Sequence, residues 1–130
     1  MNKIESFEDI VAWQKARALT KGVYAMAKAA EFRKDFGLRD QIQRAAVSAM
    51  SNIAEGFERG GDREFIQFLS HSKASCGEVR SDLYVALDQG YISPLTFEEL
   101  YNQSVEVSRL VSGFMSYLNQ SGLKGKKYRS

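Results

Sequence analysis

One predicted helix places the residue types of a hydrolase on a single stripe. His71, Ser75, Glu78 and Asp82 follow one another at intervals of four, three and four residues. A serine nucleophile, a histidine base and an orienting carboxylate perform acyl transfer only when the three side chains converge. Side chains along a straight helix point outward in parallel, so this spacing predicts a solvated helix face rather than a catalytic site.

Histidine and cysteine each occur once, at His71 and Cys76. A single histidine excludes multi-histidine zinc and di-iron sites. Cys76 lies on an apolar stripe, where a buried thiol behaves as a small hydrophobic group. The sequence also lacks dinucleotide-binding, phosphate-loop and Cys-x-x-Cys motifs. We therefore expect no enzyme, no catalytic residue, no metal, no cofactor and no small-molecule substrate.

A row of polar residues accompanies a stripe of alanines in the second predicted helix. At intervals of four, four and three residues, its members are Arg44, Ser48, Asn52 and Glu55. One interpretation is a buried hydrogen-bond network that fixes the helix register, with Glu55 paired to a cation and Asn52 bonded to the backbone. The other interpretation is a surface that meets a partner. Ionisable groups beside a closely packed seam are tolerated mainly when paired, which favours the network.

Two arginines, Arg59 and Arg63, flank the Gly60-Gly61 pair. The free amides and the dipole of a helix start attract anions, so a phosphate site is one interpretation of this turn. The other interpretation is that these residues only end one helix and begin the next. It is favoured because any turn between helices needs such residues.

The end of the chain, residues 120–130, contains four cations and no acid: Lys124, Lys126, Lys127 and Arg129. The whole chain has a formal net charge of +2, from 18 basic and 16 acidic residues, so residues 1–119 have a net charge of about −2. The composition predicts a flexible basic tail. Such a tail either contacts phosphate backbones or acts as a solubilising chain end.

Four segments show the alternating three- and four-residue apolar spacing of helices that pack in a bundle. They cover about residues 7–30, 38–57, 62–89 and 96–119. The stripe positions are Ala12, Ala16, Leu19, Val23, Met26 and Ala30 in the first segment; Ile42, Ala46, Ala49 and Ile53 in the second; Phe65, Leu69, Ser72, Cys76, Val79, Leu83 and Ala86 in the third; and Phe97, Leu100, Ser104, Val107, Val111, Phe114 and Leu118 in the fourth. Ser6 with Asp9, and Thr96 with Glu99, have the spacing of capping boxes at the first and fourth helix starts. Short connections make consecutive helices antiparallel. Residues 1–119 are therefore predicted to form an all-α, up-down-up-down four-helix bundle.

Size and hydropathy agree with one domain. The chain has 130 residues, of which 44% are hydrophobic, and a single proline, as expected for one helical domain. No apolar run reaches the roughly 20 residues that cross a bilayer, and the first residues lack the apolar core of a secretion signal. We expect a cytoplasmic protein without a membrane partner.

Apolar residues remain beside the core stripes of the first and fourth helices. In the first helix they are Phe7, Ile10, Val11, Trp13 and Tyr24, and in the fourth they are Tyr101, Val105 and Met115. These stripes are wider than the packing of one helix face requires. They therefore predict an exposed apolar patch, and such patches mark protein interfaces. This surplus predicts self-association.

Several motifs resemble those of a known family. They are Phe36-Gly37-Leu38, Gln41 to Ala46, Asn52-Ile53-Ala54-Glu55-Gly56 and Gly90-Tyr91-Ile92. Together they resemble the small four-helix-bundle proteins encoded in 23S ribosomal RNA intervening sequences. Relatives include the accessory variability protein of diversity-generating retroelements, which partners a reverse transcriptase.

The resemblance implies a non-catalytic bundle that assembles as a homo-oligomer, a ring of five, and that binds nucleic acid. It supplies no catalytic residue. By similarity, Asn52, Glu55 and Gly56 belong to the architecture of the bundle, and Arg44 and the pair Arg59 and Arg63 belong to a surface facing RNA.

These observations lead to one hypothesis and one alternative. The hypothesis is an oligomeric bundle that binds structured RNA or a ribonucleoprotein. Its predicted phosphate contacts are Arg39, Arg44, Arg59, Arg63, Lys124, Lys126, Lys127 and Arg129. Residues 33–64 contain six acids and six bases, so this hypothesis requires the fold to separate the two signs. The alternative is a protein–protein adaptor that docks another protein through its exposed apolar stripes and charged face and binds no nucleic acid. A mainly apolar interface of this kind does not weaken steeply as salt rises.

Overall fold

The computed structural model describes residues 3–122. Its four helices are α1 (Val11–Met26), α2 (Phe36–Arg59), α3 (Asp62–Asp88) and α4 (Pro94–Gly122). Short 3-10 turns at Phe7–Asp9 and Phe32–Lys34 precede α1 and α2. No strand occurs within residues 3–122, which confirms the predicted all-α class.

Contacts between side chains show that neighbouring helices run antiparallel. Between α2 and α3, Gln41 contacts Asp82, whereas Ser48 contacts Ser75, so positions ascend on one helix as they descend on the other. Between α3 and α4, the aromatic pairs Tyr84–Phe97 and Phe65–Phe114 show the same order. Each helix packs against the next, and α1 closes the bundle against α4. The pairs α1–α2 and α3–α4 consequently form opposite sides of the bundle.

The core follows the predicted stripes. Every position predicted on the α3 stripe is buried: Phe65, Leu69, Ser72, Cys76, Val79, Leu83 and Ala86. The α2 stripe is also buried, and it consists of Ile42, Ala46, Ala49 and Ile53. Small side chains on α2 let α3 approach closely. At Gly56, an added Cβ would lie 2.8 Å from a ring carbon of Phe65 and 2.8 Å from the Cβ of Phe68.

The prediction of one helix over residues 7–30 is wrong at both ends. The Ser6–Asp9 box caps a 3-10 turn, with the Asp9 carboxylate accepting from the Ser6 amide at 3.2 Å. The extended backbone of Ile10 then separates this turn from α1. At the other end α1 stops at Met26, and the chain turns to bury Phe32, which stacks on Tyr91 at 5.3 Å. Ala30, predicted in the core, is exposed as a result.

Helices α2 and α4 begin earlier than predicted because different residues cap them, whereas α3 begins at Asp62 as predicted. The Asp35 carboxylate accepts from the Leu38 amide at 3.1 Å, so α2 begins at Phe36 instead of residue 38. The Ser93 hydroxyl accepts from the Thr96 amide at 3.1 Å, which places Pro94 at the first position of α4. Proline suits this position because its missing N–H would have had no partner there.

Much of the predicted apolar surplus packs onto the core. Ile10 is buried, and Phe7 packs edge-on against Trp13 at 5.1 Å, with both rings against the core. Val11 and Tyr24 stay exposed on α1. Further large apolar side chains are exposed at positions that the stripes did not single out: Phe36, Val47, Tyr84, Val85, Leu95 and Tyr117.

Candidate nucleic-acid interface

The predicted polar row of α2 divides into an inner pair and an outer pair. Ser48 and Asn52 are half-buried, and Ser48 faces α3. The Ser48 hydroxyl lies 2.8 Å from the Ser75 hydroxyl, and the Asn52 amide donates to the Ser48 hydroxyl at 2.9 Å and to its carbonyl at 2.9 Å. The Asn52 bonds lie within α2 and orient Ser48, whereas the Ser48–Ser75 bond joins α2 to α3 midway along the bundle and resists sliding between them.

Arg44 and Glu55 lie outside this network, so the prediction of one buried network is wrong for both. Both side chains are exposed. Glu55 does pair with a cation, Arg59, at 3.0 Å, but this is a surface pair one helical turn away. A helix flank faces either solvent or the next helix depending on how the two helices cross, which residue spacing does not specify.

Two members of the predicted solvated stripe on α3 are buried instead. Ser75 bonds Ser48, and Asp82 accepts from the Gln41 amide at 3.0 Å. Only His71 and Glu78 face solvent. The four side chains therefore diverge, and the stripe forms no Ser-His-acid site.

Asp82 is a buried carboxyl with incomplete pairing. One oxygen accepts from Gln41, whereas Oδ2 has no hydrogen-bond partner. Burial, and then repulsion from Glu78, raise the pKa of Asp82 to about 6, and the Gln41 bond only partly opposes this rise. Burial likewise raises the pKa of the Cys76 thiol, which makes it a poor nucleophile.

The clearest surface feature near the predicted arginines is a basic cleft, which we call the α1–α2 groove. Its cations are Lys28, Arg33, Arg39 and Arg44, and its one acid is Asp40. Tyr24 lines both halves of the groove. The cleft lies between α1, the second 3-10 turn and the first half of α2, so the chain reversal after Met26 creates it.

Arg39 is held in place within this groove. Its guanidinium donates to the Arg33 carbonyl at 3.1 Å, and its Cζ lies 4.9 Å from the centre of the Phe36 ring. Phe36 is 65% exposed, so one face of an aromatic ring remains open beside a fixed cation. Within residues 3–122, the only ion-pair contact of Arg39 is with Asp40, at a long distance of 4.0 Å.

The other predicted arginines lie beyond the far end of the groove, Arg59 as the last residue of α2 and Arg63 in the first turn of α3. Arg59 is 20 positions from Arg39, which corresponds to about 30 Å along a helix. Arg59 pairs with Glu55 and also lies over the Phe68 ring at 5.0 Å. The four predicted arginines therefore do not form one cluster.

Charge is separated between these two ends. Residues 28–44 contain five cations and three acids, whereas residues 55–64 contain two cations and four acids. The fold thus provides part of the separation that RNA binding requires, and it favours Arg39 and Arg44 over Arg59 and Arg63. Sequence reasoning missed Tyr24 and Lys28 because they come from α1 and from the turn that follows it, and not from α2. The predicted tail contacts, Lys124, Lys126, Lys127 and Arg129, lie outside the described residues.

The described part of the chain offers little to other kinds of site. Among residues 3–122, no cluster of His, Cys, Asp and Glu is arranged to hold a metal ion. No helix in the same range is both long enough and apolar enough to cross a membrane.

The fold and its surface define a class, the all-α four-helix bundles with a basic cleft between neighbouring helices. The model of the 23S rRNA-intervening sequence protein family matches residues 8–113, and the chain belongs to that family. This confirms the family resemblance of the motifs.

Comparison with solved structures supports the same fold. A protein of unknown function from the S23 ribosomal protein family of Bacteroides thetaiotaomicron is similar, with a TM-score of 0.73 and 21% sequence identity. The match covers 80% of this chain and 97% of that chain. No curated protein matches the chain.

Proposed function

We propose that this protein is a non-catalytic RNA-binding bundle that contacts RNA through the α1–α2 groove. The observation that carries the proposal is the grouping of four cations around one acid, next to the exposed rings of Tyr24 and Phe36. Membership of a family named for 23S rRNA intervening sequences supports RNA as the ligand.

The groove supplies the two interactions that unpaired RNA requires. Cations neutralise phosphates and release counterions, which gives affinity and a strong dependence on salt. Exposed aromatic rings and arginine planes stack on splayed bases. Arg39 is already held by the Arg33 carbonyl and the Phe36 ring, so less side-chain entropy is lost when it meets a phosphate.

The test compares equal charge reversals at the two ends of α2, in the full chain. Arg33→Glu with Arg39→Glu alters the groove, and Arg59→Glu with Arg63→Glu is the matched control. The probe is a labelled RNA hairpin with a single-stranded loop, titrated at low and at moderate salt. We expect at least a tenfold loss of affinity for the groove variant and less than a threefold loss for the control.

Two results would contradict the proposal. One is equal affinity of the groove variant and the wild-type protein. The other is wild-type binding that does not weaken as salt rises, since phosphate contacts require salt dependence. Circular dichroism of both variants verifies that the bundle is intact.

We also propose that the protein forms a homo-oligomer, the ring of five implied by the family resemblance. The exposed side chains of Val85 and Leu95 support an interface at one end of α3 and α4. Light scattering on the free protein measures the assembly. A monomer at micromolar concentration would contradict this part.

The same exposed apolar side chains favour a second candidate function, an adaptor that binds a protein and no nucleic acid. Salt separates the two functions, because a mainly apolar interface persists at ionic strengths that displace RNA. Removing the residues after Asn119 tests the basic tail separately. If the tail contacts phosphate, its loss reduces the slope of affinity against salt.

A further inference from the structure

A second basic cleft, which we call the α3–α4 groove, lies on the side of the bundle opposite the α1–α2 groove. Its cations are Lys73 and Arg80 from α3 and Arg109 from α4. The other side chains that line it are Tyr101, Val105, Ser108 and Ser112, so no carboxylate faces the cleft. It has a volume of about 470 Å³ and is open to solvent, which suits a chain passing through rather than an enclosed small molecule.

Arg80 anchors this groove. Its guanidinium donates to the hydroxyls of Ser104 at 3.1 Å and Ser108 at 3.2 Å, and Ser104 in turn donates to the Cys76 carbonyl at 2.9 Å. These neutral hydroxyls fix the guanidinium but leave its charge in place. Within residues 3–122, no carboxylate forms an ion pair with Arg80, Lys73 or Arg109. A half-buried, fixed and uncompensated cation is suited to an anion from solution.

Aromatic rings extend the groove beyond Arg80. The Arg80 guanidinium lies 6.0 Å from the centre of the Tyr101 ring. Tyr101 contacts Phe97 at 5.4 Å and Tyr84 at 5.8 Å, and Tyr84 is half exposed. Lys73 lies seven residues before Arg80, which is about 10 Å along the helix and on the same face. The groove thus offers cations spaced along a line, with stacking surfaces at one end.

We propose that the α3–α4 groove is a second RNA-binding site, so that each protomer holds two RNA segments on opposite sides of the bundle. Spaced cations fit successive phosphates, and the ring cluster fits a splayed base, whereas an isolated phosphate ion would use only the cations. The choice of RNA as the ligand rests on the proposed function of the α1–α2 groove.

The test counts binding sites per protomer, so that self-association does not alter the number. The probe is a labelled octauridylate, which forms no stable structure, titrated at low salt and at protein concentrations well above the dissociation constant. The variant is Lys73→Glu with Arg109→Glu, because both side chains are exposed and neither packs in the core. Arg59→Glu with Arg63→Glu is the control with the same change in charge.

We expect two sites per protomer in the wild-type protein and in the control. We expect one site in the Lys73 and Arg109 variant, one in the Arg33 and Arg39 variant, and none when the two are combined. A single wild-type site that is lost in the Arg33 and Arg39 variant, or two sites retained in the Lys73 and Arg109 variant, would overturn the second site and leave the first intact. An absence of wild-type binding would overturn the proposed function as well, so the two failures are distinguishable.

Discussion

The two ends of α2 contain similar residue types in different surroundings. At the beginning of the helix, Arg39 and Arg44 border an open cleft with few acids. At its end, Arg59 and the neighbouring Arg63 of α3 lie among four acids, next to the closely packed crossing at Gly56. An arginine is therefore a candidate phosphate contact because of the charges and the space around it, and not because of its position in a motif.

Among the substitutions that test this difference between the two ends of α2, a substitution of Gly56 is expected to have the largest effect. Gly56→Ala would drive a Cβ to within 2.8 Å of both Phe65 and Phe68. Because one contact is to the Cβ of Phe68, which cannot rotate away, we expect a loss of about 2–3 kcal/mol in the free energy of unfolding. Urea unfolding followed by circular dichroism measures it.

The matched control lies at the opposite end of α2. At Gly37, an added Cβ would meet only the Asp35 carboxylate, at 3.9 Å. Gly37→Ala is expected to raise the free energy of unfolding by about 0.5 kcal/mol, because alanine favours the helix. Equal effects at the two glycines would show that the two ends do not differ in packing.

The next largest effect is expected from a substitution of Asp82. Its carboxylate accepts a hydrogen bond from Gln41, near the beginning of α2. Its pKa is about 6 in the folded protein and ordinarily 3.8, so between these values the native state holds a proton that the unfolded state has released. The free energy of unfolding therefore falls as pH rises through this range. We expect Asp82→Asn to stabilise the protein at pH 8 by about 1–2 kcal/mol and to flatten that slope.

Thermal or urea unfolding at a series of pH values from 4 to 8 measures the Asp82 effect. Asp88→Asn, an exposed substitution on the same helix, is the control and should leave the slope unchanged. A slope that persists after Asp82→Asn would assign the pH dependence to another group.

The smallest expected effect is on RNA affinity, when the acids beside the arginines at the two ends of α2 are neutralised. Asp40 is the one acid of the α1–α2 groove. Asp40→Asn removes its repulsion of phosphate, and we expect a two- to threefold gain in RNA affinity at low salt. Glu55→Gln releases Arg59 at the acidic end and should change the affinity by less than that. Fluorescence anisotropy with the hairpin probe measures both, and a larger gain from Glu55→Gln would reverse the assignment of the two ends.

Hydropathy predicted the fold and most of the core. Stripes at three- and four-residue spacing identified Leu69, Val79 and Ile53 as buried, because burial of an apolar stripe is a property of one helix. The flanks of each stripe depend on two helices. Ser75 and Asp82 were predicted to face solvent and are buried, whereas Arg44 and Glu55 were predicted to be buried and are exposed.

The candidate site was less predictable than the core. Arg39 and Arg44 were named from the sequence, but the groove also needs Tyr24 from α1 and both Lys28 and Arg33 from the chain reversal that follows α1. This assembly depends on the early end of α1, which follows from the burial of Phe32. A chain reversal driven by one buried ring leaves no repeating pattern in the sequence.

The Ser48–Ser75 bond and the close contact at Gly56 together hold α2 against α3 in a single register. Since α2 forms one wall of the α1–α2 groove and α3 one wall of the α3–α4 groove, the two clefts keep a constant separation. The bundle is in this respect a stiff spacer. Under the proposal of two RNA sites, a stiff spacer presents its second cleft at a defined distance and orientation, so a strand bound in the first cleft sets where a second strand is captured.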